Sequence, residues 1–310
     1  MASSDKSVAG ATIVITGASS GFGRGSALRL AAMGANVVLA ARRGEVLDRL
    51  VAEIDGSGGS GGSALAVTTD VSLAEDVLHL AHRAVERYGK IDVWINNTGI
   101  GALGFFWDIP LEDHARVIDV NLKGLIYGAH TAITLFRQQR FGTLINVGSI
   151  DSEVPLAYQA SYAASKAGVL SLSRSLNQEL RLAGLDDIKV GTIMPWAVDT
   201  PWWTHAANYT GHAPRMAAMD DPEIVVDAIV AACTDPREEQ PVGWKAQASN
   251  ASHHIFPDLT ERMSANIADR EIDKASLLPP TSGAIHAPTT AGASMDGGIR
   301  RRMAREDADS

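Results

Sequence analysis

Cys233 is the only cysteine in 310 residues, so no internal disulfide can form. It follows an apolar helical pattern over residues 224–231, the setting of a packed thiol rather than of a nucleophile. Positive charge is in deficit: 27 Lys and Arg stand against 36 Asp and Glu, and the net charge of −9 argues against a nucleic-acid surface. No stretch reaches the roughly eighteen apolar residues of a membrane span, and the first ten residues carry no hydrophobic signal core. A soluble, cytoplasmic chain without a membrane partner is expected. Metal-ligand spacing is missing as well. His205 and His212 are seven apart with no further ligand nearby, and the adjacent His253 and His254 point different ways, so no metal is expected.

What the chain does have is centred on residues 149–166. Tyr162 and Lys166 are four apart, which on a helix places phenol and ammonium on one face, a turn apart. A free phenol titrates near ~10, and a fixed ammonium favours the phenolate, so Tyr162 is a candidate general acid or base. Ser149 closes the apolar run 143–148, which reads as a buried strand. A hydroxyl at that strand's carboxyl end could hydrogen-bond a substrate oxygen. Tyr–Lys pairs at this spacing also occur on exposed helices, so the pair needs company. It has it: a Gly-rich turn near the N-terminus, Asn96-Asn97-Thr98-Gly99 after a second buried strand, and Asn121 inside a helix predicted over residues 111–140.

In chain order, residues 11–16 are a β-branched first strand, followed by Gly17, Ser19, Ser20, Gly21, Phe22 and Gly23 in a G-x-x-x-G-x-G turn. Missing Cβ atoms let such a turn bend and let backbone approach a pyrophosphate at the N-terminus of the helix that follows. The second strand, 36–41, ends at Arg42 and Arg43. An acidic residue there would accept from a ribose diol, whereas arginines offer charge-assisted bonds to a 2′-phosphate, so NADP(H) is preferred over NAD(H). Two solvated arginines opening a helix are the plainer alternative. Residues 56–63 are a Gly-Ser loop with no assigned role. Further strands are expected at 64–69, 91–95 and 188–194, with a short last one at 241–244. Trp202, Trp203, Tyr209, Met216 and Met219 suggest an apolar, sizeable substrate, although aromatics equally pack cores and interfaces.

Taken together, the Gly turn, Asn97-Thr98-Gly99, Asn121, Ser149, Tyr162 and Lys166 resemble the short-chain dehydrogenase/reductase family, in order and spacing, over about residues 8–244. The resemblance implies a single α/β domain of Rossmann type, with a doubly wound parallel sheet of about seven strands. It implies hydride transfer between nicotinamide and a secondary alcohol or ketone, with catalytic residues Asn121, Ser149, Tyr162 and Lys166. Asp70 would bond the adenine, Val71 would pack on its ring, and Asn97, Thr98 and Gly99 would face the cofactor. Pro195, Val198 and Thr200 would line the nicotinamide, Lys166 would hold the ribose, and Asn121 would join Lys166 to solvent through water. Asp70 also reads as a helix cap. The family's long helices imply a homodimer or homotetramer. Three departures stand out: Ser20 where a basic residue often signals NADP, Thr98 for alanine, and Trp196 for a glycine with positive φ. Tyr158 lacks a lysine four residues on and reads as a pocket wall. A non-catalytic NADP-binding sensor is the competing class; it predicts the loss of a catalytic position, and none is lost. Residues 245–310 read as an extension with a helix from 257 to about 272, then a Pro-, Ser-, Thr- and Gly-rich end that cannot bury enough to stay ordered alone.

Overall fold

Among the described residues, the aliphatic and β-branched runs form nine strands: β1 (Thr12–Thr16), β2 (Asn36–Ala41), β3 (Ala64–Thr68), β4 (Val93–Asn96), β5 (Ala102–Leu103), β6 (Gly142–Val147), β7 (Ile188–Pro195), β8 (Ala207–Asn208) and β9 (Glu239–Val242). This computed structural model describes residues 7–56 and 62–308; most of the predicted Gly-Ser loop lies outside the described residues. Among the described residues, seven strands make one parallel sheet in the order β3-β2-β1-β4-β6-β7-β9, and β5 pairs with β8 apart from it.

Side chains alternate across a strand, and helices cover both faces of this sheet. Ile13 and Ile15 pack with Leu30, Leu47 and Ile229 on one side, while Val14 packs with Leu80, Trp94 and Phe136 on the other. A strand buried on both faces has no polar side to show, and that is why the sequence reads as unbroken apolar runs. The chain moves outward from β1 through β2 to β3, then returns to β4 on the opposite side of β1. Such a reversal opens a crevice beyond the strand ends where open α/β sheets hold their ligands.

Three elements differ from the sequence reading. The helix predicted over 111–140 is interrupted: α-helices Leu111–Ile118 and Gly124–Gln139 flank a π-helical turn, Asp119–Lys123. Asn121, in that turn, is spent on a neighbouring loop, taking the Ile100 amide at 2.8 Å and donating to the Ile100 carbonyl at 2.9 Å. The last strand ends at Val242, and Trp244 belongs instead to a helix, Gly243–Ile255. Trp196 needs no glycine-like backbone, because it is not among the positive-φ residues of the described chain.

The largest difference is at the end of the chain. A helix, Pro257–Lys274, forms as predicted, but residues beyond 275 do not dangle; they cross the tips of the strands and finish in a helix, Ile299–Ala308. Alone they bury little. Against the domain they gain fixed partners: the buried Arg215 guanidinium pairs with Glu271 at 2.9 Å, Glu306 at 3.1 Å and Asp307 at 2.8 Å. Asp199 is 1% exposed and takes the Ile299 and Arg300 amides at 2.8 and 3.0 Å, satisfying donors that a helix start leaves free.

Candidate active site

The crevice is one continuous cleft along the strand tips, running from Arg42 and Arg43 at one end to Tyr162 and Trp202 at the other. Its floor is the Gly turn. Gly17 has φ +69°, and a Cβ there would sit 2.9 Å from Asn97 Nδ2. At Gly23 a Cβ would lie 2.4 Å from the Gly17 carbonyl oxygen, so only glycine lets the helix start this close to the turn. Gly23→Ala is expected to cost about 1–3 kcal/mol by overpacking and to abolish thermal protection by nicotinamide nucleotides. Melting curves with and without NADPH check this; an unshifted midpoint with full protection would contradict the close approach.

Tyr162 and Lys166 lie on the helix Ala160–Leu182, both facing the cleft. Lys166 Nζ is 5.6 Å from the centre of the Tyr162 ring and donates to the Val147 carbonyl at 2.7 Å, tying the helix to the end of β6. Ser149 follows β6 after Gly148, and its hydroxyl is near enough to the phenol to favour the phenolate. The same Oγ accepts the Asp151 amide at 3.1 Å, capping a short 3-10 turn, Ile150–Ser152. Asn121 is fully buried and stands behind this wall, donating to Ser165 Oγ at 3.1 Å. A Cβ at Gly99 would be 3.6 Å from Lys166 Nζ and 3.9 Å from Asn121 Oδ1, so both groups border the same narrow space.

The electrostatics differ from the simple expectation that the ammonium lowers the phenol's pKa. Burial pushes Tyr162 well above its ordinary range, the nearby Asp151 carboxylate adds to this, and the Ser149 hydroxyl opposes it. Burial lowers Lys166 to about 8, against the attraction of Asp151. Asp151 itself is raised by burial to about 7, with Lys166 opposing. Shielding from water therefore outweighs the cation.

At the other end, three guanidiniums gather. Arg116 donates to Asp70 at 2.8 Å and to Ser72 Oγ at 2.7 Å. Asp70 also takes the Ser72 amide at 3.0 Å, so its carboxylate is committed to its own turn and to Arg116. Arg42 donates to the Ala284, Ile285 and His286 carbonyls at 2.7, 3.1 and 3.0 Å. Arg43 donates to Ala291 at 2.9 Å and to Ser19 Oγ at 3.0 Å. The Ser294 carbonyl accepts the Gly21 amide at 3.0 Å. The end of the chain thus straps the adenosine side of the cleft.

Ser19, Ser20, Gly21, Phe22, Val71, Asn97, Thr98, Gly99, Pro195, Val198 and Thr200 all line the cleft as the sequence suggests, whereas Gly23 and Asn121 support it from behind. Of the segment expected over the substrate, Trp202, Trp203 and Met216 reach the cleft, with Trp202 edge-on to Tyr162 at 5.1 Å between ring centres. Tyr209 instead bonds Asp113 at 2.6 Å, and the Tyr158 hydroxyl bonds Asp269 away from the cleft, so neither is a wall of it. Among the described residues, no group of three metal-ligating side chains occurs. Sequence reasoning missed Arg116, Asp151 and the strap. Only Asp151 left a signal, an acid immediately beyond a buried strand.

A turn of glycines beneath a cleft, a phenol and a lysine on one helix, and cations at the far end are the parts of a nicotinamide-dependent oxidoreductase. The family model for the short chain dehydrogenases matches residues 11–209. The chain belongs to the short-chain dehydrogenase/reductase family and is an NAD(P)-dependent dehydrogenase/reductase. It is 34% identical to the uncharacterized oxidoreductase YxnA of Bacillus subtilis over 258 residues, covering 82% of this chain and 71% of the other. It is 40% identical to 3beta-hydroxysteroid dehydrogenase 1 of Eggerthella lenta over 194 residues, covering 62% and 72%. Among solved structures, a short-chain dehydrogenase/reductase from Burkholderia phymatum in complex with NAD aligns with TM-score 0.72 at 27% identity, covering 82% of this chain and 96% of that one.

Proposed function

We propose that the protein transfers a hydride between NADP(H) and a secondary alcohol or ketone of apolar body. The observation that carries this reading is the meeting of Ser149, Tyr162 and Lys166 on one wall of the cleft, with Lys166 5.6 Å from the centre of the phenol ring. When bound, the nicotinamide cofactor supplies or accepts the hydride. Tyr162 donates its proton to the carbonyl oxygen as that oxygen gains charge, and Ser149 positions the oxygen and polarises it. Burial keeps the phenol in its protonated form at neutral pH, which is the form that reduction requires. Lys166 bears the ribose hydroxyls and the charge beside the phenol. Both amide hydrogens of Asn121 are committed, to Ile100 and Ser165, and Oδ1 already takes the Ile100 amide, which leaves its second lone pair, on the Gly99 side, for proton supply. Trp202, Trp203 and Met216 give the substrate end its apolar walls, and the hydroxysteroid relative is in keeping with a bulky substrate. Consumption of NADPH with a panel of bulky ketones tests the reading; no turnover of any of them would defeat it.

The preference for NADP(H) rests on charge balance. Arg116 pairs with the Asp70 carboxylate, whereas the hydrogen-bond acceptors of Arg42 and Arg43 among the described residues are neutral oxygens. A 2′-phosphate is the stronger acceptor and offsets that excess. Arg42→Ala with Arg43→Ala is expected to weaken NADPH binding by about 10-fold or more while leaving NADH within a few-fold, measured by nucleotide titration. Equal losses for both nucleotides would remove the argument. Leu111 and Leu182, 80% and 78% exposed on the two long helical elements, support a homodimer or homotetramer, which sedimentation would register. None of the described helices is long and apolar enough to cross a membrane, and the proposed setting is the cytoplasm.

A further inference from the structure

Asp151 is a buried acid that the hydride transfer above does not use. It is 4% exposed and borders the cleft two residues beyond Ser149. Its amide is taken by Ser149 Oγ, but among the described residues no donor reaches its carboxyl oxygens. The nearest cation, Lys166, is felt only through space and gives its hydrogen bond to Val147. Ile150, Leu156, Trp196 and Trp202 give the same cleft apolar walls. Neither of its oxygens is among the fully buried side-chain atoms left without a partner, so the carboxyl opens on the cleft. A chain that keeps one there, facing a ligand cavity, has an acceptor ready for something that enters.

We infer that Asp151 determines substrate specificity by accepting a hydrogen bond from a hydroxyl or ammonium group next to the reacting carbon. The position follows from the neighbours. Asp151 follows Ser149 by two residues on the cleft wall that also holds Tyr162 and Lys166, and its charge acts on both, so a donor that meets it belongs to an atom close to the carbonyl that Tyr162 protonates. The substrate class is then an α-hydroxy or α-amino ketone on an apolar body, or the corresponding diol or amino alcohol in the reverse direction. A site built around a buried acceptor discriminates strongly against an analogue that leaves it unpaired. Pairing also neutralises the charge that raises the phenol's pKa, so the right substrate eases its own protonation.

This inference rests on the proposed hydride transfer, and the test separates the two. Binding of 1-tetralone, 2-hydroxy-1-tetralone and 2-amino-1-tetralone to the NADP+-saturated chain is measured by calorimetry, and NADPH consumption with each ketone is followed separately. The unaltered chain is expected to favour one or both substituted ketones over 1-tetralone by about 10- to 100-fold. Asp151→Ala brings that ratio close to one. Asp151→Asn, which keeps an acceptor without the charge, retains a preference for the hydroxyl and loses any for the ammonium. Because the carboxyl is unpaired, the melting temperature of Asp151→Ala should not fall; a large fall would mark a structural residue and overturn the assignment. Equal affinity of the unaltered chain for all three ketones overturns it too, as does a preference that survives in Asp151→Ala. A preference lost in Asp151→Ala without NADPH consumption by any ketone would leave Asp151 as the donor's partner and overturn the hydride-transfer reading instead.

Discussion

Phenylalanine at position 162 is expected to lower turnover by about 10²- to 10⁴-fold, the usual contribution of a positioned proton donor, while nucleotide binding and melting temperature change little. The substitution removes one oxygen and leaves the ring against Trp202. The group lost is the hydroxyl that stands beside Lys166 on the wall it shares with Ser149. A pH profile sharpens the expectation. Tyr162 stays protonated through neutrality, so reduction should not lose its acid there; the decline should come as Lys166, at about 8, gives up its proton. Asp151 and Lys166 influence one another, so the limb belongs to the pair rather than to one residue. Steady-state rates for the unaltered and Tyr162→Phe chains between pH 6 and about 9 would show it. Equal rates for the two would mean that another group moves the proton.

The second large effect concerns stability. Arg215→Met is expected to cost about 2–3 kcal/mol, because Glu271 and Glu306 would lose the buried cation they share and be left to the more exposed Lys274 and Arg302. Asp307 is 53% exposed and should add little of this. The loss should fall on the final helix first. Hydrogen exchange of residues 299–308 is expected to accelerate before that of β1 or β6, and chemical denaturation gives the total. An unchanged midpoint would show that these carboxylates do not depend on Arg215.

Local chemistry made much of this fold legible. The turn at Gly17, Gly21 and Gly23, the strand runs and the Tyr162–Lys166 spacing each express themselves within a few residues, and a parallel sheet buried on both faces writes long apolar words. What escaped depends on residues far apart in the chain. Arg116 looks like any helical surface cation until Asp70, 46 positions away, is folded against it. The π-helical turn arises because Asn121 bonds a loop 21 positions earlier, which no helical periodicity records. Residues 284–294 have no pattern of their own; their backbone carbonyls, common to every residue type, meet Arg42 and Arg43. The phenol's environment was misjudged for a related reason: the Tyr–Lys spacing shows the cation but not the depth of burial or the acid at 151.

Asp199 sits between Val198 and Thr200, which border the cleft, yet its carboxylate is occupied by the first amides of the last helix. Cutting the polypeptide back to the span that the family model matches, 11–209, would therefore do more than remove an appendage. It would expose the flank of β7 where β9 pairs, strand the carboxylate of Asp199 in an apolar interior, and loosen the nicotinamide end from a break made far downstream. Shortened versions intended for crystallisation or engineering should accordingly fail by aggregation, and fusion partners are better attached ahead of the first strand than behind the final helix.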